Sequence, residues 1–269
     1  MNNKFFGSNN SQLWFHLKES REYFKDDQIV MLALTGSQNY NLAIETSDID
    51  TKLTVLPLFD DIVFNKTPIS TTHIRANEEH IDFKDMRLMF STLLKQNVNY
   101  LEQLFTKYYI ANQDYEKEIK TLREHREDIA RFYPSKCIMT MYGIAMNKQG
   151  RVFRELPDKE NIIQIYGYNP KEMVQLLRIE EFMRRYINDE PFADCLVTEQ
   201  REFLLRVKSG NYFDAKEILE MLNTSLAHVE EMKDNFFKTN EDTYYPEVQT
   251  LIQNIQKQIM IKYLKKVIK

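Results

Sequence analysis

The sequence predicts an α+β protein in which a small mixed sheet with flanking helices comes first and a helical bundle follows. Apolar residues from Ile29 to Phe83 run continuously or alternate in short segments, as strands do. After about residue 110 they recur almost wholly at helical spacing. Glycine and proline are scarce, 6 and 7 in 269 residues, which favours helix over turn-rich architectures. That length suits one large domain or two ordinary ones. The change of pattern divides the chain at 1–110 and 111–269.

Leu13 to Phe24 reads as a short amphipathic helix, with Leu13, Phe15, Leu17 and Tyr23 as apolar contacts. Ile29 to Leu34 is an uninterrupted apolar run and suits a buried strand. Gly36-Ser37 breaks it, and Ser37 is a good N-cap for a short helix through Tyr40 to Ile44. Ile49 to Leu56 alternates, with Ile49, Thr51, Leu53 and Val55 on one face, and Pro57 ends the run. Phe59 to Ile69 reads as a strand or an irregular insert, and His80 to Phe83 as a strand. Met86, Met89, Phe90, Leu93 and Leu94 then mark a helix.

Further helices are expected over Tyr115–Phe132 and Pro134–Met146. Lys148 to Asn169 reads as a connection. Pro170 suits a first helical turn, with Met173, Leu176, Leu177 and Met183 carrying that helix to about Ile187. Thr198–Val207, Phe213–Phe237 and Pro246–Ile268 complete the bundle. The basic end, Lys262 to Lys269, reads as a solvated helix face.

Composition excludes several classes. A net charge of −4 argues against a generally basic nucleic-acid-coating protein. Cys137 and Cys195 match neither a zinc site nor a redox pair, and read as reduced thiols of a cytosolic protein. Met1 to Gln12 lacks the apolar core of a signal peptide, and no apolar stretch is long enough to span a membrane. The expected location is therefore cytoplasmic.

Two short motifs carry chemistry. Gly36-Ser37 lies at a strand end, where backbone N–H groups can face phosphate oxygens. Asp48 and Asp50, two apart on the next strand, share a face. Two carboxylates so placed repel unless a cation lies between them. Magnesium suits them, because it takes hard oxygen ligands and completes its shell with water and phosphates. Either motif alone reads as an ordinary turn; the combination is much rarer.

Leu32 to Pro57 resembles the signature of the DNA polymerase beta-type nucleotidyltransferase superfamily, in which hydrophobic-Gly-Ser precedes a D-x-D pair. More narrowly, Gly36-Ser37-x-Asn39-Tyr40-x-Leu42 with Ser47-Asp48-Ile49-Asp50 resembles a branch of stand-alone predicted nucleotidyltransferases of bacteria and phages. The resemblance implies a polymerase-beta-like first domain and a third carboxylate on a later strand. Asp82 is the candidate, with Ile81 and Phe83 turned to the core; Glu79 has the wrong parity and Asp85 suits a helix cap. It also implies two magnesium ions on Asp48, Asp50 and Asp82, and a nucleoside triphosphate substrate. Gly36 and Ser37 would hold its β- and γ-phosphates, and Tyr40 can approach the nucleotide.

The branch further carries a Lys and an Arg seven apart with a His between; here Lys171 and Arg178 match, with Gln175 at the His position. The resemblance assigns that basic pair to phosphate. Met141-Tyr142-Gly143 with Lys148 and Gln149, and Asn97 to Leu104, are weaker points of likeness. The five histidines are scattered, and neither a nucleophile elbow nor a Walker A sequence is present. The implied acceptor is an RNA end, with a protein hydroxyl or a small molecule as alternatives. A non-catalytic nucleotide- or RNA-binding module and a toxin-system component are the rival readings.

Overall fold

IVMLALT, residues 29–35, contains no charged residue, and it forms the strand at the middle of the sheet. The computed structural model describes residues 4–155 and 161–268. Contacts group the chain into two units. One contains Met1–Asn39, Ala43–Phe132 and Tyr245–Lys269. The other contains Tyr40–Leu42 and Tyr133–Tyr244.

The first unit is built on six strands: β1 (Phe5–Gly7), β2 (Ile29–Thr35), β3 (Asp50–Val55), β4 (Ser70–Ile74), β5 (His80–Asp85) and β6 (Tyr109–Asn112). Their order is β1-β6-β2-β3-β5-β4. All neighbours are antiparallel except β3 and β5, which run parallel. The mixed α+β class is therefore as the sequence predicts. Helix α1 (Ser11–Ser20) covers one face, over a core that includes Leu13, Leu17, Leu32, Leu34, Leu53 and Ile81. The insert between β3 and β4 is not a strand at first but a short helix, α2 (Phe59–Val63).

Helices α3 (Met86–Leu94), α4 (Val98–Phe105), α5 (Glu116–Glu124) and α6 (Arg126–Arg131) complete the first run of this unit. Asp85 starts α3 by accepting from the Arg87 N–H at 2.8 Å, and Asn97 starts α4 by accepting from the Asn99 N–H at 3.0 Å. The helix expected over Tyr115–Phe132 breaks at His125 into α5 and α6. Sequence reading did not anticipate β1, β4 (which begins just after the expected Phe59–Ile69 segment) or β6. Each is short, and β6 exists because pairing on both sides, with β2 and β1, satisfies its backbone. At Gly7, with φ +143°, a Cβ would stand 2.1 Å from the Tyr109 carbonyl oxygen, so only glycine lets β1 approach.

The second unit is helical: α7 (Pro134–Val152), α8 (Ile162–Tyr166), α9 (Pro170–Ile187), α10 (Phe192–Leu196), α11 (Arg201–Ser209) and α12 (Ala215–Thr239). Helix α9 is its axis, packed by α7, α10, α11 and α12. Asn169 caps it and Pro170 occupies its first turn, the position where a missing N–H costs nothing. Asp214 and Glu217 form a reciprocal capping box on α12. Helix α7 runs past the expected end at Met146, which shortens the expected connection from Lys148. Residues 156–160 of that connection lie outside the described residues, as do 1–3 and 269.

The last helix, α13 (Pro246–Val267), packs on α3, α5 and α6 of the first unit rather than completing the bundle. Lys262 of its basic end donates to Glu118 at 2.7 Å, so this part of the face is paired as well as solvated. The contact grouping thus changes at Phe132/Tyr133 and again at Tyr244/Tyr245, whereas the sequence pattern changes at 110/111. Among the described residues, no helix is long and apolar enough to cross a membrane.

Candidate active site

Strand β2 ends at Thr35, and Gly36–Gln38 form one 3₁₀ turn closed by the Asn39 N–H on the Gly36 carbonyl at 2.9 Å. The first N–H groups of such a turn have no partner within it. Those of Ser37 and Gln38 meet no backbone acceptor among the described residues. Gly36 has φ +85°, which glycine adopts without strain. The expected helix over Tyr40–Ile44 does not form. Asn41 lies in the left-handed region at φ +60°, and Asn39 caps the Leu34 carbonyl at 3.0 Å through its side chain.

Asp50 is the first residue of β3, and Asp48 lies just before the strand, exposed. Ile49 between them packs against the sheet core. The Asp50 carboxylate stands beside the glycine turn: Oδ2 is 3.8 Å from the position a Gly36 Cβ would take. Its Oδ1 accepts from the His80 backbone N–H at 3.2 Å, and the His80 Nδ1 is 3.6 Å away. His80 thus belongs to the surroundings of Asp50.

Parallel pairing sets Lys52 of β3 against Asp82 of β5, and Thr51 against Ile81. Asp50, Lys52 and Asp82 therefore share one face of the sheet. Asp82 Oδ1 accepts a hydrogen bond from the Thr72 hydroxyl of β4. Its two rivals are engaged elsewhere. Asp85 is buried as the α3 cap, with the Arg87 guanidinium at 2.7 Å. Glu79 is turned to the other face, where it meets His16 and Arg75.

Two features of this site escaped sequence reading. The first is Lys52, only 7% exposed, whose Nζ donates to the Asn99 carbonyl at 3.0 Å and stands 4.6 Å from the centre of the Tyr100 ring. Burial lowers its pKa; the charges of Glu102, Asp82 and Asp50 act in the opposite sense. Burial, and then the charge of Asp82, raise that of Tyr100. The period-2 spacing from Asp50 was the available signal for Lys52.

The second is a buried relay on the opposite face. His16 Nδ1 is 2.8 Å from Thr51 Oγ1, and its Nε2 is 3.0 Å from Glu79. Arg75 in turn bonds Glu79 and Glu19. Sixty-three residues separate His16 from Glu79, so no local pattern marks the pair.

In the helical unit, the Arg178 guanidinium lies 3.8 Å from the centre of the Tyr40 ring and donates to Gln175 Oε1 at 3.1 Å. Both Arg178 and Tyr40 are buried. Gln175, at the position where the resembled branch has His, thus holds Arg178. The Tyr40 carbonyl accepts from the Thr198 N–H at 3.2 Å, and the Leu42 carbonyl accepts from Lys208 at 3.3 Å. Lys171 is exposed. Lys148 pairs with Glu172 at 2.7 Å.

Carboxylate oxygens of Asp48 and Asp50 are the right donors for a hard cation, and magnesium usually needs only one or two of them beside substrate phosphates. Among the described residues, no three His, Cys, Asp or Glu side chains group closely enough to hold a metal by themselves. The donor set therefore fits an ion that arrives with a phosphate ligand.

No protein-family model matches the chain, and no curated protein matches it. Among solved structures, it is similar to a nucleotidyltransferase-like protein from Exiguobacterium sibiricum 255-15. The two are 10% identical, with a TM-score of 0.30, over 84% of this chain and 74% of the other.

Proposed function

We propose that this protein is a magnesium-dependent nucleotidyltransferase acting on a nucleoside triphosphate. The observation that carries the reading is the meeting of Gly36 and Asp50: a glycine turn with free N–H groups stands beside a carboxylate on the sheet face that also bears Asp82. Phosphate binding at such a turn needs only backbone donors.

In this reading Gly36 and Ser37 bind the β- and γ-phosphates, and Asp48 and Asp50 hold magnesium. When bound, that ion neutralises charge on the triphosphate. Asp82, oriented by Thr72, receives the proton of the acceptor hydroxyl as its oxygen attacks the α-phosphorus. The new P–O bond forms as the α–β bridging bond breaks, and pyrophosphate leaves. A phosphate acceptor needs no such proton transfer. Tyr40 and Arg178 hold the segment that follows the glycine turn, and exposed Lys171 is free to meet acceptor or substrate phosphate. An RNA end is the proposed acceptor, with a protein hydroxyl second, in a cytoplasmic setting.

One observation favours a second reading, a non-catalytic nucleotide- or RNA-binding module: the three acids do not form a ready three-ligand cluster among the described residues. Incubation with each α-³²P-labelled nucleoside triphosphate, magnesium, and RNA and protein from a bacterial lysate separates the two. Label transferred to RNA or protein, and lost in Asp82→Asn, supports the enzyme. Nucleotide retained without transfer supports the module.

A further inference from the structure

We infer that Lys52 takes the place of a second metal ion, so that the acid face binds a single divalent cation together with its nucleotide. The inference rests on the proposed nucleotide site and goes beyond it. Lys52 lies two residues after Asp50 on β3 and directly across from Asp82 in the β3/β5 ladder. Any cation shared by those two carboxylates would have to stand on the same face of the sheet as the Lys52 side chain.

Its surroundings are those of a built-in charge rather than a solvated one. The side chain runs under the first turn of α4, between the Asn99 carbonyl and the Tyr100 ring. An ammonium has three N–H donors, and a buried one leaves them unsatisfied at a cost. Here the Asn99 carbonyl, at 3.0 Å, is its one hydrogen-bond acceptor among the described residues. The remaining Nζ donors have no protein acceptor among the described residues. Among the described residues, the acids themselves do not group into a three-ligand metal cluster. The Lys52 charge is opposed first by Glu102 of α4 and then by Asp82 and Asp50, so one fixed cation in the sheet serves the acid face as well as α4 and eases the repulsion between Asp50 and Asp82.

Electron paramagnetic resonance counts bound Mn²⁺ in the presence of a non-hydrolysable nucleoside triphosphate analogue. The unaltered protein, Lys52→Arg, Lys52→Met and Asp50→Asn are compared after circular dichroism shows each folded. The expected result is one Mn²⁺ per bound nucleotide in the unaltered protein and in Lys52→Arg, and two in Lys52→Met, where the vacated charge admits a second ion. Two ions in the unaltered protein, or one in Lys52→Met, overturn the inference while leaving the nucleotide site intact. Failure of the unaltered protein to bind the analogue at all overturns the nucleotide site, and this inference with it. Asp50→Asn weakens Mn²⁺ binding in the first two cases and changes nothing in the last.

Discussion

The imidazole of His16 stands beneath Thr51, the residue between Asp50 and Lys52, with Nδ1 2.8 Å from the threonine hydroxyl oxygen. Its Nε2 reaches Glu79, the residue before β5 begins, at 3.0 Å. One buried side chain thus joins the two strands that carry the acids, from the face opposite the acids. A neutral ring that donates from Nε2 to the Glu79 carboxylate accepts from Thr51 at Nδ1.

Burial holds the His16 pKa below its ordinary 6.5. Hydrogen bonds from His16 and Asn77, joined by Arg75, outweigh burial and hold Glu79 below its own ordinary value. In both cases the unfolded chain binds more protons than the folded one as pH falls, so stability falls with acidification. For His16 the loss begins as pH passes down through 6.5, where the unfolded histidine protonates. For Glu79 it follows at lower pH. His16→Ala should cost about 1–3 kcal/mol, because it leaves the buried Thr51 hydroxyl without its partner and takes one of the hydrogen bonds of Glu79, which keeps Arg75. Urea unfolding between about pH 7.5 and about pH 5.5 checks both points. The variant should be less stable throughout and should show a shallower decline with acid.

Gly36→Ala should be destabilising by about 1 kcal/mol, since φ +85° is strained for any residue with a Cβ. The added methyl meets Asp50 Oδ2 at an ordinary contact distance of 3.8 Å, so the cost arises from the backbone rather than from a clash. Thermal unfolding reads the stability term. Equilibrium binding of a nucleoside triphosphate should weaken in the same variant, since the turn is then displaced.

Asp82 and Asp85 both lie on β5 but have different partners, the Thr72 hydroxyl for the first and Arg87 for the second. Asp85→Ala removes the cap of α3 and the partner of Arg87, and should cost about 1–2 kcal/mol of stability. Its nucleotidyl transfer at a temperature where it remains folded should be near that of the unaltered protein. Asp82→Asn should do the reverse, with little change in unfolding midpoint and transfer reduced by at least about a hundredfold. An active Asp82→Asn would remove it from the chemistry.

Arg178 and Lys171 should also part company. Arg178→Ala loses the stack on Tyr40 and the bonds to Gln175 in a buried setting, at about 2 kcal/mol. Lys171→Ala, at an exposed position, should leave stability within about 0.5 kcal/mol. If Lys171 meets phosphate, its variant raises KM for the triphosphate or the acceptor. Urea unfolding and initial rates on the two variants make the distinction.

Much of this arrangement could be read in the chain before its structure. The alternation from Ile49 to Leu56 and the helical repeat from Met86 reflect local burial, and both elements occupy nearly those limits. Proline at position 170 marked the start of α9 because a first turn tolerates it. Glu79 was set apart from Asp82 by strand parity, and the structure places them on opposite faces. What escaped depends on distant partners. Strand β6 is four residues long and becomes a strand only between β1 and β2. The return of α13 to the first unit is fixed by packing on α3, α5 and α6, which its own repeat does not reveal. Tyr40–Leu42 reads as helix locally, but a left-handed Asn41 and bonds to Thr198 and Lys208 hold it otherwise.

In the proposed reaction, the face bearing Asp48 and Asp50, beside the Gly36-Ser37 turn, releases pyrophosphate from a bound nucleoside triphosphate. Pyrophosphate released per enzyme, measured with magnesium and a pooled RNA acceptor, tests it most directly when the unaltered protein is compared with Asp48→Ala/Asp50→Ala. Multiple turnovers are expected with at least one nucleotide, and none in the double variant, which remains folded. Equal release by both proteins, or no nucleotide bound by the unaltered one, would contradict the proposed reaction.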